Sequence, residues 1–427
     1  MKKLYIYADF DWLQEIEFVG ELGYESLRGS DSYCFTFSNQ WLRKHGDLFL
    51  SSDLNNYPGV QYTQPGKDIF GCFSDALPDR WGCTLFLRRE QIAAKEEGRP
   101  VRRLSSFDFL TGIDDFSRMG GFRFKEEPNG EFINTSESFK IPPIADIREL
   151  MAAAAEIEKS EEVNLLPGKK WIAQLVNPGS SLGGARPKAN VTDMDKMLCM
   201  AKFPSRKDDY DVGLWEHFSH ELAAKAGINT AKTNVLLTGN KYHTLLSQRF
   251  DRAKDGKRKH FASAKTLLGL NDGDNAGTGH GYLDIVDFIV QNCTDVENNL
   301  QELYRRVAFN ICIGNSDDHF RNHGFLLTVK GWSLSPAYDM NPSLNEYQSL
   351  LISSASNKAD LGILLDACEE YMLDRSVAEK IVMEVTGAVR KWRGLATRLG
   401  ISKREIDMFA GVLDERACKV DFARNIS

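Results

Sequence analysis

The sequence lacks the long apolar runs that membrane proteins need. No window approaches 18 uninterrupted apolar residues, and the N-terminus, MKKLYIYADFDW, has no apolar stretch of signal-peptide length. None of the eight cysteines forms a C-x-x-C pair, and several lie in apolar runs, which predicts reduced, buried thiols rather than disulfides or a zinc site. We therefore expect a cytoplasmic protein without a transmembrane helix.

The sequence also lacks an excess of basic residues. Its net charge of −7 argues against a whole-molecule electrostatic surface for nucleic acid, although it permits a local basic patch. There is no internal repeat and no low-complexity tract. With 42% hydrophobic residues in 427, the chain has a globular composition and exceeds the roughly 250–300 residues that one core usually serves. We expect two or three domains.

The first 125 residues predict short strands. Runs of aromatic and β-branched residues at 4–7, 17–22, 33–37 and 119–124 indicate strands, and a helical stretch opens in 73–81 and runs toward Lys95. The segment 126–143 is rich in Pro, Ser, Asn and Glu, and it is the candidate linker.

The rest of the chain alternates between predicted helices and strands before it becomes mainly helical. We predict a helix at 144–159, a Pro-, Gly- and Ser-rich stretch, an alternating strand at 197–203, a helix at 214–226, and strands at 233–238 and 242–250. Helices dominate from Tyr282 onward, interrupted by a hairpin around Lys330-Gly331.

The segment NSDDHFRN carries the most informative pattern. Asp317 is followed five residues later by Asn322, which is the spacing of a protein-kinase catalytic loop. In such a loop the aspartate orients the substrate hydroxyl and accepts its proton, while the asparagine holds magnesium. Asp339, seventeen residues further on, is placed to be a second metal-binding carboxylate. Magnesium prefers a few hard oxygen ligands plus phosphates, and Asn322 with Asp339 would supply them.

Three further segments are candidates for nucleotide contacts. The stretch Ser180–Lys188, SSLGGARPK, is small and Gly-rich with two cations, so backbone N–H groups and charge could meet phosphates. Lys202 lies in an apolar strand and needs a partner for its charge, with Glu216 on the next helix as the candidate ion-pair partner. The segment 248–252 is a candidate hinge that would present backbone groups to adenine.

The motifs SSLGGARPKA, AKFP, SQRFDR, NSDDHFRNHGF and LSPAYDMNPS resemble the HipA family, the kinase toxins of HipBA-type bacterial toxin–antitoxin systems. FSDALPDRWG and RMGGFRF resemble that family's N-terminal subdomain, so the resemblance covers most of the chain. It implies a serine/threonine kinase that uses ATP and Mg²⁺.

The resemblance also implies roles for individual residues. Asp317 is expected as the catalytic base and Ser181 as the autophosphorylated serine. Phosphate on Ser181 would place negative charge in a loop that receives phosphates, which gives a reason for self-inactivation. The expected Mg²⁺ ligands and nucleotide contacts are the following: Asn322 and Asp339 for the metal; Ser181, Gly183, Gly184, Lys188, Lys202, Glu216, Gln248, Phe250, Asp251 (near the ribose) and His319 for ATP.

The partners that the family implies are a small helix-turn-helix antitoxin, resembling HipB, and a translation component such as an aminoacyl-tRNA synthetase. Contact with DNA would be indirect, through the antitoxin. Two alternatives stay open: a small-molecule kinase of related fold, and a catalytically silent corepressor or scaffold. The presence of Asp317, Asn322, Asp339 and Lys202 ranks the silent scaffold last.

The expected fold class is α+β. A β-rich N-terminal subdomain (1–140) precedes a kinase-like N-lobe with the Gly-rich loop and hinge (141–255). A mainly helical C-lobe with the catalytic and metal-binding loops follows (256–427). The active site is expected in the cleft between the lobes.

Overall fold

The computed structural model describes residues 1–27, 30–64, 66–135, 141–163, 165–176, 184–239 and 241–416. The fold mixes helices and sheets, as the sequence predicts. The chain divides into two compact units. The first comprises Met1–Asp208, Leu236–Ala262 and Leu326–Val329, and the second comprises Asp209–Val235, Ser263–Phe325 and Lys330–Ser427. The three-domain division stays a prediction, because the two discontinuous units follow different borders.

Twelve strands lie in the described ranges. They are β1 Lys2–Ala8, β2 Glu17–Leu27, β3 Ser30–Phe37, β4 Gln61–Tyr62, β5 Phe122–Lys125, β6 Lys188–Thr192, β7 Leu198–Lys202, β8 Thr233–Leu236, β9 Thr244–Gln248, β10 His260–Ser263, β11 Gly324–Thr328 and β12 Gly331–Leu334. Their sheet orders are β4-β3-β2-β1-β5, β6-β7-β9-β8 and β10-β11-β12.

Fourteen α-helices lie in the same ranges. They are α1 Asn39–His45, α2 Gly71–Ser74, α3 Arg80–Glu96, α4 Ser106–Gly112, α5 Ile147–Glu162, α6 Lys169–Val176, α7 Val212–Lys225, α8 Ala264–Leu268, α9 Tyr282–Asn292, α10 Val296–Ile313, α11 Leu361–Asp366, α12 Arg375–Val389, α13 Trp392–Arg398 and α14 Lys403–Arg416. In the described part of the chain, no helix is long and apolar enough to cross a membrane.

The first unit builds its N-terminal sheet from alternating side chains. Leu4, Ile6 and Ala8 of β1 are buried, and the residues between them are half-buried, as expected for a strand with one face on a core. β1 pairs antiparallel with both β2 and β5. These strands confirm the sequence prediction for this region.

A second core in the first unit joins the sheet β6-β7-β9 to three helices. Its buried members include side chains of α3, α5 and α6 together with those of the strands: Trp81, Leu85, Ile147, Leu150, Ile157, Ile172, Leu175, Ala189, Val191, Ala201 and Leu246. All five residues of β7 are buried, including Lys202. The strand predicted at 197–203 is confirmed by β7, but the expected alternation is wrong, because β7 is covered on both faces.

Two other expectations for the first unit need correction. The Pro-, Gly- and Ser-rich stretch contains helix α6 and strand β6, so Lys188 begins a strand rather than ending a loop. The candidate linker is partly folded. Phe132 bridges Lys125 of β5, and the side-chain nitrogen of Asn134 donates to the Thr111 carbonyl at 2.6 Å.

The second unit is mainly helical, as predicted. The 18-residue helix α10 buries twelve residues, among them Val307, Phe309 and Ile311. It ends at Gly314, whose φ of 73° is left-handed, and a Cβ there would clash with the Ser343 carbonyl oxygen. The predicted hairpin is confirmed by β11 and β12. Helix α10 thus delivers the chain directly into the segment 315–323.

Candidate active site

The turn after α10 is built from asparagine hydrogen bonds. The Asn315 amide nitrogen donates to the Asn310 carbonyl at 2.9 Å, and its side-chain nitrogen donates to Oδ1 of Asn310 at 3.0 Å. The loop therefore starts from a fixed point at the helix end.

Asp318 is the buried anchor of this loop. Its Oδ2 accepts from the Tyr282 hydroxyl at 2.6 Å, from Nδ2 of Asn310 at 2.8 Å and from Nε2 of His323 at 2.8 Å. Burial alone would raise the pKa of Asp318. The charge and hydrogen bond of His323, together with the Tyr282 hydroxyl, outweigh burial and hold the pKa below its usual range. The carboxylate is thus kept charged inside the unit.

The preceding residue, Asp317, is exposed. Partial desolvation raises its pKa, and the negative charges of Asp339 and Asp318 raise it further, whereas His319 opposes the shift. The charges of His319 and Asp339 thus both act on the Asp317 carboxyl. Of the Asp317-Asp318 pair, only Asp317 presents its carboxylate to solvent.

Asn322 turns back onto the start of the loop. Its backbone nitrogen donates to the His319 carbonyl at 2.8 Å, and its side-chain nitrogen donates to the Asp317 carbonyl at 3.3 Å. Because the nitrogen of the amide makes this bond, the oxygen is the atom left to serve as a metal ligand.

Asp339 lies in a segment that pairs with residues of the same unit. The Ala337 nitrogen donates to the Asn229 carbonyl at 2.8 Å, and the Ala231 nitrogen donates to the Ala337 carbonyl at 2.9 Å. Asp339 itself has a φ of 57°, a left-handed conformation that is uncommon outside glycine. Such strain is often held at functional positions.

Several hydrogen bonds join this segment to residues 314–321. The Tyr338 hydroxyl donates to the Arg321 carbonyl at 2.6 Å, and the hydroxyls of Ser316 and Ser343 are 2.6 Å apart. The Ser343 hydroxyl also lies 2.7 Å from the Gly314 carbonyl. These bonds fix Asp317, Asn322 and Asp339 on two cross-linked loops of one unit.

The chemistry of these residues fits magnesium. Asn322 and Asp339 offer hard oxygen donors, and the buried Oδ1 of Asn341 has no hydrogen-bond partner. Within the described ranges, no group of three His, Cys, Asp or Glu side chains could hold a metal.

His319 lies beside Asp317, half-buried, and its buried Nδ1 has no hydrogen-bond partner. Its predicted contact with the nucleotide stays a prediction. Glu216 is on α7 and is 3% exposed, and its predicted pairing with Lys202 also stays a prediction.

The first unit carries the remaining candidates. Lys202 is the last residue of β7 and is 9% exposed. Gln248 ends β9, where it pairs with Cys199 of β7, and the half-buried Phe250 follows. The Phe250 ring lies 5.8 Å from that of Phe261. The segment 248–252 thus begins at the end of a strand, and its role as a hinge stays a prediction.

Asp251 belongs to a buried ion-pair cluster. Its carboxylate is 0% exposed and accepts from Arg249 and Arg252 at 2.7 Å and from the Gly120 nitrogen at 3.0 Å. Burial would raise its pKa, but the two guanidinium groups lower it well below the usual range. The ribose contact that the family resemblance implies for Asp251 stays a prediction.

Of the Gly-rich stretch, Ser181 and Gly183 lie outside the described residues. Gly184 has a left-handed φ of 93°. Lys188 is buried, and its Nζ lies 2.7 Å from Oδ2 of Asp79, so its ammonium is paired within the first unit.

Sequence reasoning missed three kinds of residue. It selected Asp317 by its spacing to Asn322 but gave no role to the buried Asp318 beside it. It missed Tyr338 and Asn341, for which proximity to Asp339 was the only signal. It also gave no role to Asp79, although the LPDRW motif was visible.

Known proteins resemble this chain in sequence and in fold. Residues 180–392 match the family model described as the HipA-like C-terminal domain. The serine/threonine-protein kinase toxin HipA of Shewanella oneidensis is 25% identical over 348 residues, which cover 75% of this chain and 72% of that protein. Toxin YjjJ of Escherichia coli K12 is 24% identical over 210 residues, covering 47% of this chain and 44% of that toxin.

A solved structure shows the same fold over nearly the whole chain. The Shewanella oneidensis MR-1 complex of HipA, HipB and operator DNA matches with a TM-score of 0.63 and 17% identity, covering 96% of this chain and 95% of that chain. The expected α+β, kinase-like fold is thus confirmed.

Proposed function

The chain belongs to the HipA family, and we propose that it is an ATP- and Mg²⁺-dependent serine/threonine protein kinase that acts as the toxin of a bacterial toxin–antitoxin module. The observation that carries the proposal is the placement of Asp317. It is an exposed carboxylate with a raised pKa, on a loop that is cross-linked to the segment bearing Asp339. A silent scaffold would have no need for this arrangement.

Asp317 is the proposed catalytic base. Its carboxylate would orient the substrate hydroxyl and take the hydroxyl proton as the oxygen attacks phosphorus. A raised pKa makes it a better proton acceptor than an ordinary aspartate. Asp318 would hold the loop in place through its three buried hydrogen bonds.

Asn322 and Asp339 are the proposed metal ligands, supplying an amide oxygen and a carboxylate. Bound ATP with Mg²⁺ would supply the phosphoryl group and the positive charge that stabilises its transfer. Lys202, Gln248 and Phe250 of the first unit are the proposed nucleotide contacts.

The test is phosphotransfer by wild type and Asp317→Asn, with Mg²⁺, labelled ATP and a lysate of the host cell. The matched control is Asp287→Asn, which neutralises an exposed carboxylate on α9 of the same unit. We expect Asp317→Asn to lose about 10²–10⁴-fold of the rate, as general-base mutants do. The control should keep wild-type activity.

The outcomes also separate the alternatives. Labelled protein in the lysate supports a protein kinase, whereas turnover of a metabolite panel alone supports a small-molecule kinase. ATP binding without any turnover would refute the proposal and favour the scaffold.

Self-limitation is a separate proposal. We infer that Ser181 is autophosphorylated, because it stands in the family-like motif SSLGGARPK. Intact-mass and phosphopeptide analysis after incubation with ATP should find one phosphate on Ser181 in wild type. Neither Ser181→Ala nor Asp317→Asn should acquire it. Phosphate mapped to another residue would contradict this assignment.

The proposed partners are a HipB-like helix-turn-helix antitoxin and, as substrate, a translation component such as an aminoacyl-tRNA synthetase. The HipA structure that this chain resembles contains HipB and operator DNA. Co-elution with a small helix-turn-helix protein from the same genome, and identification of the labelled protein, would test the two partners separately.

A further inference from the structure

The motif LPDRW in the N-terminal region makes contacts that its local sequence does not explain. Asp79 begins helix α3, and its Oδ1 accepts from the Gly82 nitrogen at 2.7 Å, as an N-cap residue does. Its second oxygen accepts from Nζ of Lys188 at 2.7 Å, although 109 residues separate the two in the chain. The exposed fractions of the two side chains are 4% and 1%. One carboxylate thus caps a helix and neutralises a buried lysine.

Trp81, two residues further on, holds the same stretch through its ring and its backbone. Its indole Nε1 donates to the Lys188 carbonyl at 3.0 Å. Its backbone nitrogen donates to the Gly184 carbonyl at 3.3 Å. The ring is 3% exposed and belongs to the core beneath β6 and β7. Both ends of the stretch 184–188 are therefore tied to one turn of α3.

Further hydrogen bonds link residues of the stretch 184–188 to one another and to the residue after β7. Nζ of Lys188 lies 3.3 Å from the Gly184 carbonyl, and the Phe203 nitrogen donates to the Pro187 carbonyl at 2.9 Å. The guanidinium of Arg186 makes two bonds to the Asp208 carboxylate, at 2.6 and 3.0 Å. Both cations of the motif SSLGGARPK therefore have carboxylate partners inside the first unit.

The same stretch leads directly to the lysine that the proposed function places on the phosphates. β6 begins at Lys188, which stands opposite Lys202 in the antiparallel register with β7. A shift of Lys188 would move the start of β6 and, through this pairing, the end of β7. The position of Lys202 thus depends on what holds Lys188.

We propose that Asp79 and Trp81 are positioning residues for the nucleotide phosphates, which fix the C-terminal end of the Gly-rich stretch through Lys188 and Gly184. This inference rests on the proposed function, since it presupposes that the first unit binds ATP. Asp79 then acts through Lys188, which does not itself touch a phosphate. A purely structural role and a direct phosphate contact by Lys188 are the two rival explanations.

The variants follow from the geometry. Asp79→Asn keeps the N-cap oxygen and the side-chain size but removes the charge. Lys188→Met removes the ammonium but keeps most of the apolar stem, and the double variant removes both charges. Trp81→Phe keeps a buried ring and loses only the indole N–H. The control is Glu96→Gln, which breaks an exposed ion pair with Lys169 near the far end of α3.

The experiment is calorimetric titration of each full-length variant with ATP·Mg²⁺ and with adenosine, alongside its Tm. For Asp79→Asn we expect about tenfold weaker ATP binding, within the range of coupled neighbours, and unchanged adenosine binding. Trp81→Phe should bind ATP about two- to fivefold more weakly, because one hydrogen bond is lost, and its affinity for adenosine should be unchanged. Glu96→Gln should bind both ligands as wild type does.

The double variant decides the role of Lys188. Under the proposal, Lys188→Met weakens ATP binding no further when Asp79→Asn is already present. If Lys188 contacted phosphate directly, the two losses would multiply, and the proposal would be overturned. If the affinities for ATP and for adenosine fell equally, and in proportion to the fall in Tm, the proposal would be overturned in favour of a purely structural role.

The wild-type titration separates this inference from the proposed function. If wild type binds ATP, and Asp79→Asn and Trp81→Phe bind it with the same affinity, the positioning role alone is refuted. Absence of ATP binding by folded wild type refutes both. Should Asp79→Asn not fold, the ratio of ATP to adenosine affinity in Trp81→Phe decides between the positioning role and a purely structural one.

Discussion

The adjacent carboxylates Asp317 and Asp318 should respond in opposite ways to the same substitution. Asp317→Asn removes an exposed charge, whereas Asp318→Asn removes a buried charge that three donors contact. We expect Asp317→Asn to lose phosphotransfer and keep its stability. We expect Asp318→Asn to lose stability first and activity as a consequence.

The contacts of Asp318 set the size of the effect. Hydrogen bonds to a charged group contribute about 1.5–3 kcal/mol each, and removing one partner of a buried pair costs about 3–5 kcal/mol. Asparagine keeps one acceptor oxygen but turns an NH₂ group toward the donors. We therefore expect Asp318→Asn to lower the free energy of unfolding by about 3–5 kcal/mol. For Asp317→Asn, about 0.5 kcal/mol or less is expected, because exposed substitutions have small effects.

Scanning calorimetry with amide hydrogen exchange of the peptides around 310–323 measures the difference. A loss of about 3–5 kcal/mol corresponds to a Tm lower by about 6–20 °C for a unit of this size. Tyr282→Phe, which removes one of the three bonds, should fall between wild type and Asp318→Asn. A Tm for Asp318→Asn within about 2 °C of wild type would refute the anchoring role. Equal destabilisation by Asp317→Asn would show that burial does not distinguish the two residues.

Three more outcomes are expected. Asn322→Ala should raise the Mg²⁺ concentration for half-maximal phosphotransfer by about tenfold or more. The Tm should fall by about 2–4 °C, because one hydrogen bond is lost. An unaltered Mg²⁺ titration would exclude Asn322 as a ligand. Tyr338→Phe should lower the free energy of unfolding by about 1 kcal/mol and lower kcat more than it raises KM, since it removes one of the bonds that join the two loops. Unchanged kinetics would contradict this. Because its pKa is lowered in the folded state, Asp251 stabilises the protein above about pH 3.9, and this contribution disappears as the pH falls through the lower value. The free energy of unfolding of Asp251→Asn should therefore fall less steeply than that of wild type as the pH is lowered. An identical pH dependence in the two proteins would be evidence against the ion-pair cluster.

Local pattern was enough to predict much of the fold and part of the site. The period of apolar residues located β1–β3, α5, α7 and the hairpin of β11 and β12. The five-residue spacing in NSDDHFRN selected Asp317 and Asn322 as candidates, and their catalytic and metal-binding roles stay predictions. Composition misled the prediction at α6 and β6, since Gly, Pro and Ser nearby indicated a loop while burial in a shared core decided the outcome.

The local sequence pattern could not predict contacts between residues that are far apart in the chain. Asp79 and Lys188 are buried partners from distant parts of the chain, and neither segment alone identifies the other. The buried position of Asp251 likewise depends on Gly120 and two arginines. Charge in a polar-looking segment suggested contact with ligands, whereas the charges satisfy one another inside the protein.

The discontinuous division of the chain has a consequence for its synthesis. The chain passes from one unit to the other after Asp208, Val235, Ala262, Phe325 and Val329. No single cut can release two complete units, so fragments for expression have to be designed as discontinuous splices. A ribosome adding roughly 5–20 residues per second must reach Val329 before the first unit has all its parts. The first unit, which carries the proposed nucleotide contacts, therefore stays incomplete on the ribosome until residues 326–329 have been added.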